Sequence, residues 1–173
     1  MEFLQAIKDR MPEYAKDIRL NLDGTIARSS LAPEDAIAVA LAAAFAARSQ
    51  PLIEAFKGAV APAEGYAALT AAALMGMNNT WYPYVEMAGD DDLKTQRAEL
   101  RMNAYAGSGG VAKAKFEAYA LAASIVGKCH FCVQSHYALL KKDGWTTQQL
   151  RDIGRIAAVV NAAAQVLAAE AAV

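Results

Sequence analysis

Apolar residues gather along this chain into blocks that proline and glycine cut at short intervals, with no long polar linker between them. Blocks of that kind predict helices of one body, residues 1–173, without a domain boundary. Short helices are expected at Glu2 to Arg10 and Pro12 to Leu22, then a loop through Asp23-Gly24 to Ala32. Pro33, tolerated in a first helical turn, opens a long helix to about Arg48, with Glu34 and Asp35 near its positive end. A shorter helix follows Pro51, and Pro62 opens another through an alanine-rich stretch towards Met87. Gly89 to Asp92 reads as a solvated turn, Leu93 to Ala106 as a helix, and Gly107 to Gly110 as its break.

The last third is the most legible. Val111 to Val126 forms a helix that turns apolar on nearly every side after Glu117, which predicts burial, and Gly127 is placed to close it in a left-handed cap. A new helix starts near Cys129 and ends at Gly144, with Lys141 and Lys142 in its last turn, where cations offset the helix dipole. Thr146 with Gln149 fits a capping box for a closing helix from about Thr147 to Ala171.

Composition narrows the fold class. Alanine supplies 41 of 173 residues, against 10 valines and 8 isoleucines, so the excess lies in the strongest helix former rather than in strand formers. A mostly helical protein follows, and the composition argues against a β-sandwich or barrel. Small side chains bury little area each, so such helices must pack their backbones close to a neighbour or share an apolar face with another subunit; oligomerisation is expected. Apolar types make up 55% of the chain, which argues against disorder. Net charge is −1, from 17 basic and 18 acidic residues that are interspersed, which leaves no electrostatic footprint for nucleic acid or an anionic membrane. The longest uninterrupted apolar run, Ala36 to Ala47, has 12 residues and suits a core helix, not a membrane span. Met1 to Arg10 lacks the apolar core of a signal peptide, so a cytoplasmic protein is expected.

Both cysteines fall in Cys129-His130-Phe131-Cys132, and both histidines lie within the eight-residue stretch that continues to His136. In a cytoplasmic protein a C-x-x-C pair is redox-active or metal-binding rather than a permanent disulfide, inert thiols being the bland alternative. One cysteine at a helix start and a second one turn later bring their sulfurs within bonding range, and the positive helix end favours thiolate. Cys129, Cys132 and His136 stand at i, i+3 and i+7, along one stripe, where the histidine can take the proton of Cys132 and return it. His130 and Phe131 point off that stripe to opposite sides. Glu117, 12 residues before Cys129, is placed to orient or charge His136. Zinc would need a fourth ligand beyond Cys129, Cys132 and His136, and no second cluster offers one. Met75, Met77, Trp81 and Tyr82 either line a pocket or fill the core; Asn78 and Asn79, polar within that segment, are expected to join helices.

Glu117, eleven residues, Cys129-x-x-Cys132, three more and His136 together resemble the active-site pattern of the alkyl hydroperoxide reductase D-type (AhpD) family, within the carboxymuconolactone decarboxylase-like superfamily. Pro12 to Ile18, Met75 to Asn79 and Leu100 to Asn103 are similar to further segments of that family, in order and at like spacing, so the resemblance spans almost the whole chain. It implies an all-α, single-domain AhpD-like helical bundle, commonly a homotrimer, with the C-x-x-C at the N-terminus of a buried helix. It also implies an alkyl hydroperoxide reductase: Glu117 and His136 help deprotonate Cys132, its thiolate attacks an organic hydroperoxide, and Cys129 resolves the sulfenic acid to a disulfide. No tightly bound cofactor and no metal are implied. The electron donor is dihydrolipoamide on a lipoyl-bearing 2-oxoacid dehydrogenase component, and a peroxiredoxin is a further partner of some members. The match departs at Phe131, where the family pattern has histidine, while His130 stands one place earlier and is given no role. Two other readings remain open: a zinc-binding or regulatory helical module, and a disulfide reductase or decarboxylase-like enzyme of the same superfamily. Cys129 lies nearer the helix start and solvent, which would also make it an entry point for disulfide exchange.

Overall fold

Ten α-helices and three short 3-10 turns make up the ordered elements of the computed structural model, which describes residues 1–171; among these residues there is no strand. The last two residues of the expected 1–173 domain, Ala172 and Val173, lie outside the described residues. In chain order the helices are α1 (Gln5–Lys8), α2 (Lys16–Ala27), α3 (Pro33–Ala46), α4 (Gln50–Gly58), α5 (Pro62–Ala88), α6 (Asp91–Thr95), α7 (Asn103–Ala106), α8 (Lys113–Gly127), α9 (His130–Lys142) and α10 (Thr147–Glu170). The helices α3 and α8 pack against each other at the centre of the core, and each also packs against α5 and α10. Eight of the fourteen residues of α3 are buried, mostly alanines, so its neighbours approach the backbone itself. Alanine therefore favours close helix spacing, while larger buried side chains, among them Phe56, Phe116, Tyr119, Leu41, Leu121 and Ile153, supply the bulk.

Most boundaries fall where the pattern of apolar residues puts them, including the capping box of α10, in which the Thr146 side chain and Gln149 serve each other's backbone N–H. Three expectations are corrected. The loop expected from Asp23-Gly24 is instead the middle of α2. Leu22, Gly24, Thr25 and Ile26 are buried there, and Asp23 is clamped by Lys8 at 2.7 Å and by the N-terminal amine at 2.9 Å; tertiary packing overrides the turn preference of the dipeptide. The helix expected at Leu93 to Ala106 is interrupted: α6 and α7 are separated by residues 96–102, which lie mostly exposed, with no apolar face to offset the cost of helix nucleation. The left-handed residue after α8 is Lys128 (φ 55°), not Gly127. Gly127 is the last residue of the helix, where the Asn79 side chain lies so close that a Cβ would meet it at 2.1 Å.

Of the described helices, α10 alone is long and apolar enough to cross a membrane by composition. Here it packs along α2, α3 and α8, and it carries the buried Asp152, bonded to the Ser30 backbone N–H and hydroxyl at 2.8 Å each.

Candidate active site

The site forms where α8 ends and α9 begins. A Schellman-type closure stops α8: Lys128 N–H donates to the Ile125 carbonyl and Cys129 N–H to that of Ser124. This reversal takes only Lys128 and Cys129, so Cys129 becomes the N-cap of α9, its Sγ accepting from the Cys132 N–H at 3.2 Å. One turn later Cys132 faces back, and the two cysteines are joined by a disulfide. The helix start thus supplies both the spacing and a backbone donor aimed at sulfur.

Along α9, Cys132, His136 and Leu140 are buried while His130 and Phe131 are exposed. The expected stripe of Cys129, Cys132 and His136 is therefore the inward face. The off-stripe residues find partners at the surface: His130 pairs with Glu86 at 3.3 Å and Phe131 stacks on Tyr82 at 4.2 Å between centroids. Neither cysteine is open to solvent, at 0% for Cys129 and 3% for Cys132, so the expectation that Cys129 is the more exposed is corrected. The tight turn buries the N-cap sulfur under its own helix start. Cys132 borders a cavity of about 320 Å³ with Asn78, Tyr82, Met102, Tyr105 and His136; Cys129 borders a separate cleft of about 270 Å³ with Lys128, His130 and Gln134.

Glu117 is 2% exposed, on the buried face of α8, and its Oε2 lies 2.6 Å from His136 Nδ1. Its Oε1 accepts from the Tyr105 hydroxyl, brought in by α7. Burial pushes the Glu117 carboxyl upward, but the hydrogen bonds from His136 and Tyr105, with the charge of Lys113, hold it below the ordinary carboxylate range. The carboxylate is thus the acceptor and Nδ1 the protonated nitrogen. Burial first, then the carboxylate it serves, raises the Tyr105 hydroxyl well above the ordinary phenol range. The other ring nitrogen, Nε2, faces Met75 Sδ at 3.1 Å. No hydrogen bond joins His136 to Cys132 among the described residues in this disulfide-linked state.

Of the residues named for a pocket or the core, Met75 is fully buried against His136, whereas Trp81 and Tyr82 wall an open groove beside His130 and Phe131. Asn79 does join helices, donating from Nδ2 of α5 to the Ala123 carbonyl of α8. The sequence reasoning missed Tyr105. It stands 12 residues before Glu117 on a separate four-residue helix, and no spacing rule links two such elements. The two sulfurs are bonded to each other, His136 faces Glu117 and Met75, and no group of three His, Cys, Asp or Glu side chains among the described residues is arranged to hold a metal ion.

Comparison with known proteins agrees with this geometry. The model of the carboxymuconolactone decarboxylase family matches residues 91–173, which contain Glu117, Cys129, Cys132 and His136. The chain is 44% identical to alkyl hydroperoxide reductase AhpD of Rhodospirillum centenum, across 98% of this chain and 92% of that one. The AhpD proteins of Maricaulis maris (42% identical; 96% of this chain, 98% of that one) and Coxiella burnetii (39%; 94% and 96%) are also similar. Identity at this level over nearly the full length, with the paired cysteines at a helix start, means that the chain belongs to the AhpD family.

Proposed function

We propose that this protein is a thiol peroxidase that reduces organic hydroperoxides through a dithiol–disulfide cycle of Cys129 and Cys132. The observation that carries the reading is the C-x-x-C disulfide at the start of α9, beside a buried carboxylate–imidazole pair and a cavity, in a chain similar over its length to proteins named alkyl hydroperoxide reductase. Reduction of the disulfide gives two thiols, and Cys132 is the peroxide-reactive one because it borders the cavity shared with His136. Its proton passes to His136, whose Nε2 leaves Met75 to receive it, while Glu117 balances the resulting charge. The thiolate attacks the terminal, hydroxyl oxygen of the hydroperoxide; the O–O bond breaks, Cys132 becomes a sulfenic acid, and the alkoxide leaves as an alcohol after taking a proton from His136. Cys129 sulfur then displaces hydroxide from the sulfenic sulfur, which leaves as water, and the disulfide returns.

Two electrons and two protons must come from outside in each cycle. Dihydrolipoamide, a dithiol that closes to a cyclic disulfide as it gives them up, suits this need, and a lipoyl-bearing 2-oxoacid dehydrogenase component is the partner we assign, with a peroxiredoxin as a further one. A cytoplasmic setting, where thiols are kept reduced, fits the cycle. A homotrimer would cover apolar groups that the single chain leaves exposed, among them Met87 and Leu20.

The roles of the two cysteines are separable. Cys132→Ser abolishes hydroperoxide consumption, whereas Cys129→Ser stops after one turnover with a sulfenic acid that a dimedone-type probe traps on Cys132. Labelling of Cys129 in the Cys132→Ser variant would show the roles reversed.

A further inference from the structure

Tyr105 is a phenol that the thiol cycle above leaves unused, yet it makes one of the most committed contacts of the site. Its hydroxyl donates to one oxygen of Glu117 while the other oxygen takes His136. Its ring stands edge-on to Phe116, centroids 5.6 Å apart, and 6.3 Å from the His136 ring. It also lines the Cys132 cavity, next to Met102 and Ala106. Among the described residues, that hydrogen bond is the only one from a side chain that ties residues 96–112 to the rest of the protein.

We infer that Tyr105 is the positioning residue of the proton relay, pinning Glu117 from one side so that the carboxylate meets His136 from the other, and by the same bond holding α7 as a wall of the Cys132 cavity. A carboxylate with one partner turns freely about its terminal torsion, which has a broad, roughly two-fold profile; with a donor on each oxygen it is fixed. The charged and titratable groups that face Glu117 are His136 on α9, Tyr105 on α7 and Lys113 on its own helix, with Lys142 and Asp143 lining a cleft that Glu117 borders on another side. Tyr105→Phe removes one donor to Glu117 without changing a charge and without touching the imidazole that takes the Cys132 proton. The inference rests on the peroxidase reading for the reaction it serves, but the positioning itself is measurable in the resting protein.

The test is Tyr105→Phe, which keeps the ring and its packing. Difference infrared spectroscopy during acid titration follows the carboxyl band of Glu117, identified by its loss in Glu117→Gln. The expected result is a protonation midpoint raised by about one pH unit, because a hydrogen bond to the charged form has been removed. In stopped flow with cumene hydroperoxide, the oxidation rate of the reduced variant should fall about tenfold, while the variant stays folded and its thermal midpoint drops by only about 2–4 °C. An unmoved infrared midpoint overturns the positioning role, and so does a variant oxidised as fast as the parent protein. If the hydroperoxide fails to oxidise the parent protein itself, the peroxidase reading falls while the infrared arm still decides the role of Tyr105.

Discussion

A glutamate as buried as Glu117 would ordinarily be driven towards its neutral form by the cost of burying charge. Here two donors, His136 Nδ1 and the Tyr105 hydroxyl, take one oxygen each and reverse that tendency. The consequence is a separation between charge and shape that mutation can expose. Glu117→Gln keeps the volume but cannot balance an imidazolium, and the peroxide step should slow about 100-fold in stopped flow. Glu117→Ala leaves both donors buried without a partner and should in addition lower unfolding stability by about 2–4 kcal/mol in urea titration. Cys129, Cys132 and His136 were legible as one stripe because a helix fixes what i, i+3 and i+7 share. Tyr105 was not, because its place depends on how a short helix folds across the cavity.

The junction of α8 and α9 shows where local preference and packing part company. Glycine is the usual left-handed residue after a helix, and the Gly127-Lys128 order invites that assignment. Here, however, the helix runs through Gly127, whose missing side chain makes room for Asn79, and the left-handed conformation falls on Lys128. Two substitutions with opposite signs follow. Gly127→Ala drives a methyl into Asn79 and breaks its bond to the Ala123 carbonyl, lowering stability by about 1–3 kcal/mol. Lys128→Gly relieves the backbone and should raise stability by up to about 1 kcal/mol. Thermal denaturation of the two variants checks both, and a stabilised Gly127→Ala would contradict the packing account. The same competition explains α2: Asp23-Gly24 resembles a turn until Lys8 and the N-terminal amine are seen to clamp it inside the helix. The break at residues 96–102 is the reverse case, passable helix formers that stay mostly exposed, with Met102 at its end the one residue packed on the core.

Across the molecule, alanine-rich helices packed backbone to backbone form a frame whose polar ties lie at a few buried points, of which Asp152 is the clearest. Burial works to raise its carboxyl, but the Ser30 N–H and hydroxyl, followed by Arg155 and Arg151, hold it down to about 2. An unfolded aspartate titrates near 3.9, at about that value in any unfolded chain, so the tie between α10 and the segment before α3 contributes fully above about pH 4 and is lost as pH falls towards about 2. The melting-temperature gap between the parent protein and Asp152→Asn should therefore close over that interval and stay constant above it. The frame was readable from composition and apolar pattern, whereas its ties were not, since they join residues as far apart as Ser30 and Asp152. What the frame supports is the cycle of Cys132 and Cys129, and one assay addresses it directly: hydroperoxide-dependent NADH oxidation with lipoamide and its dehydrogenase supplied, by the parent protein and by Cys132→Ser. Steady turnover by the parent and none by Cys132→Ser is the expected result; an inactive parent, or a Cys132→Ser protein that turns over equally well, would contradict the assignment.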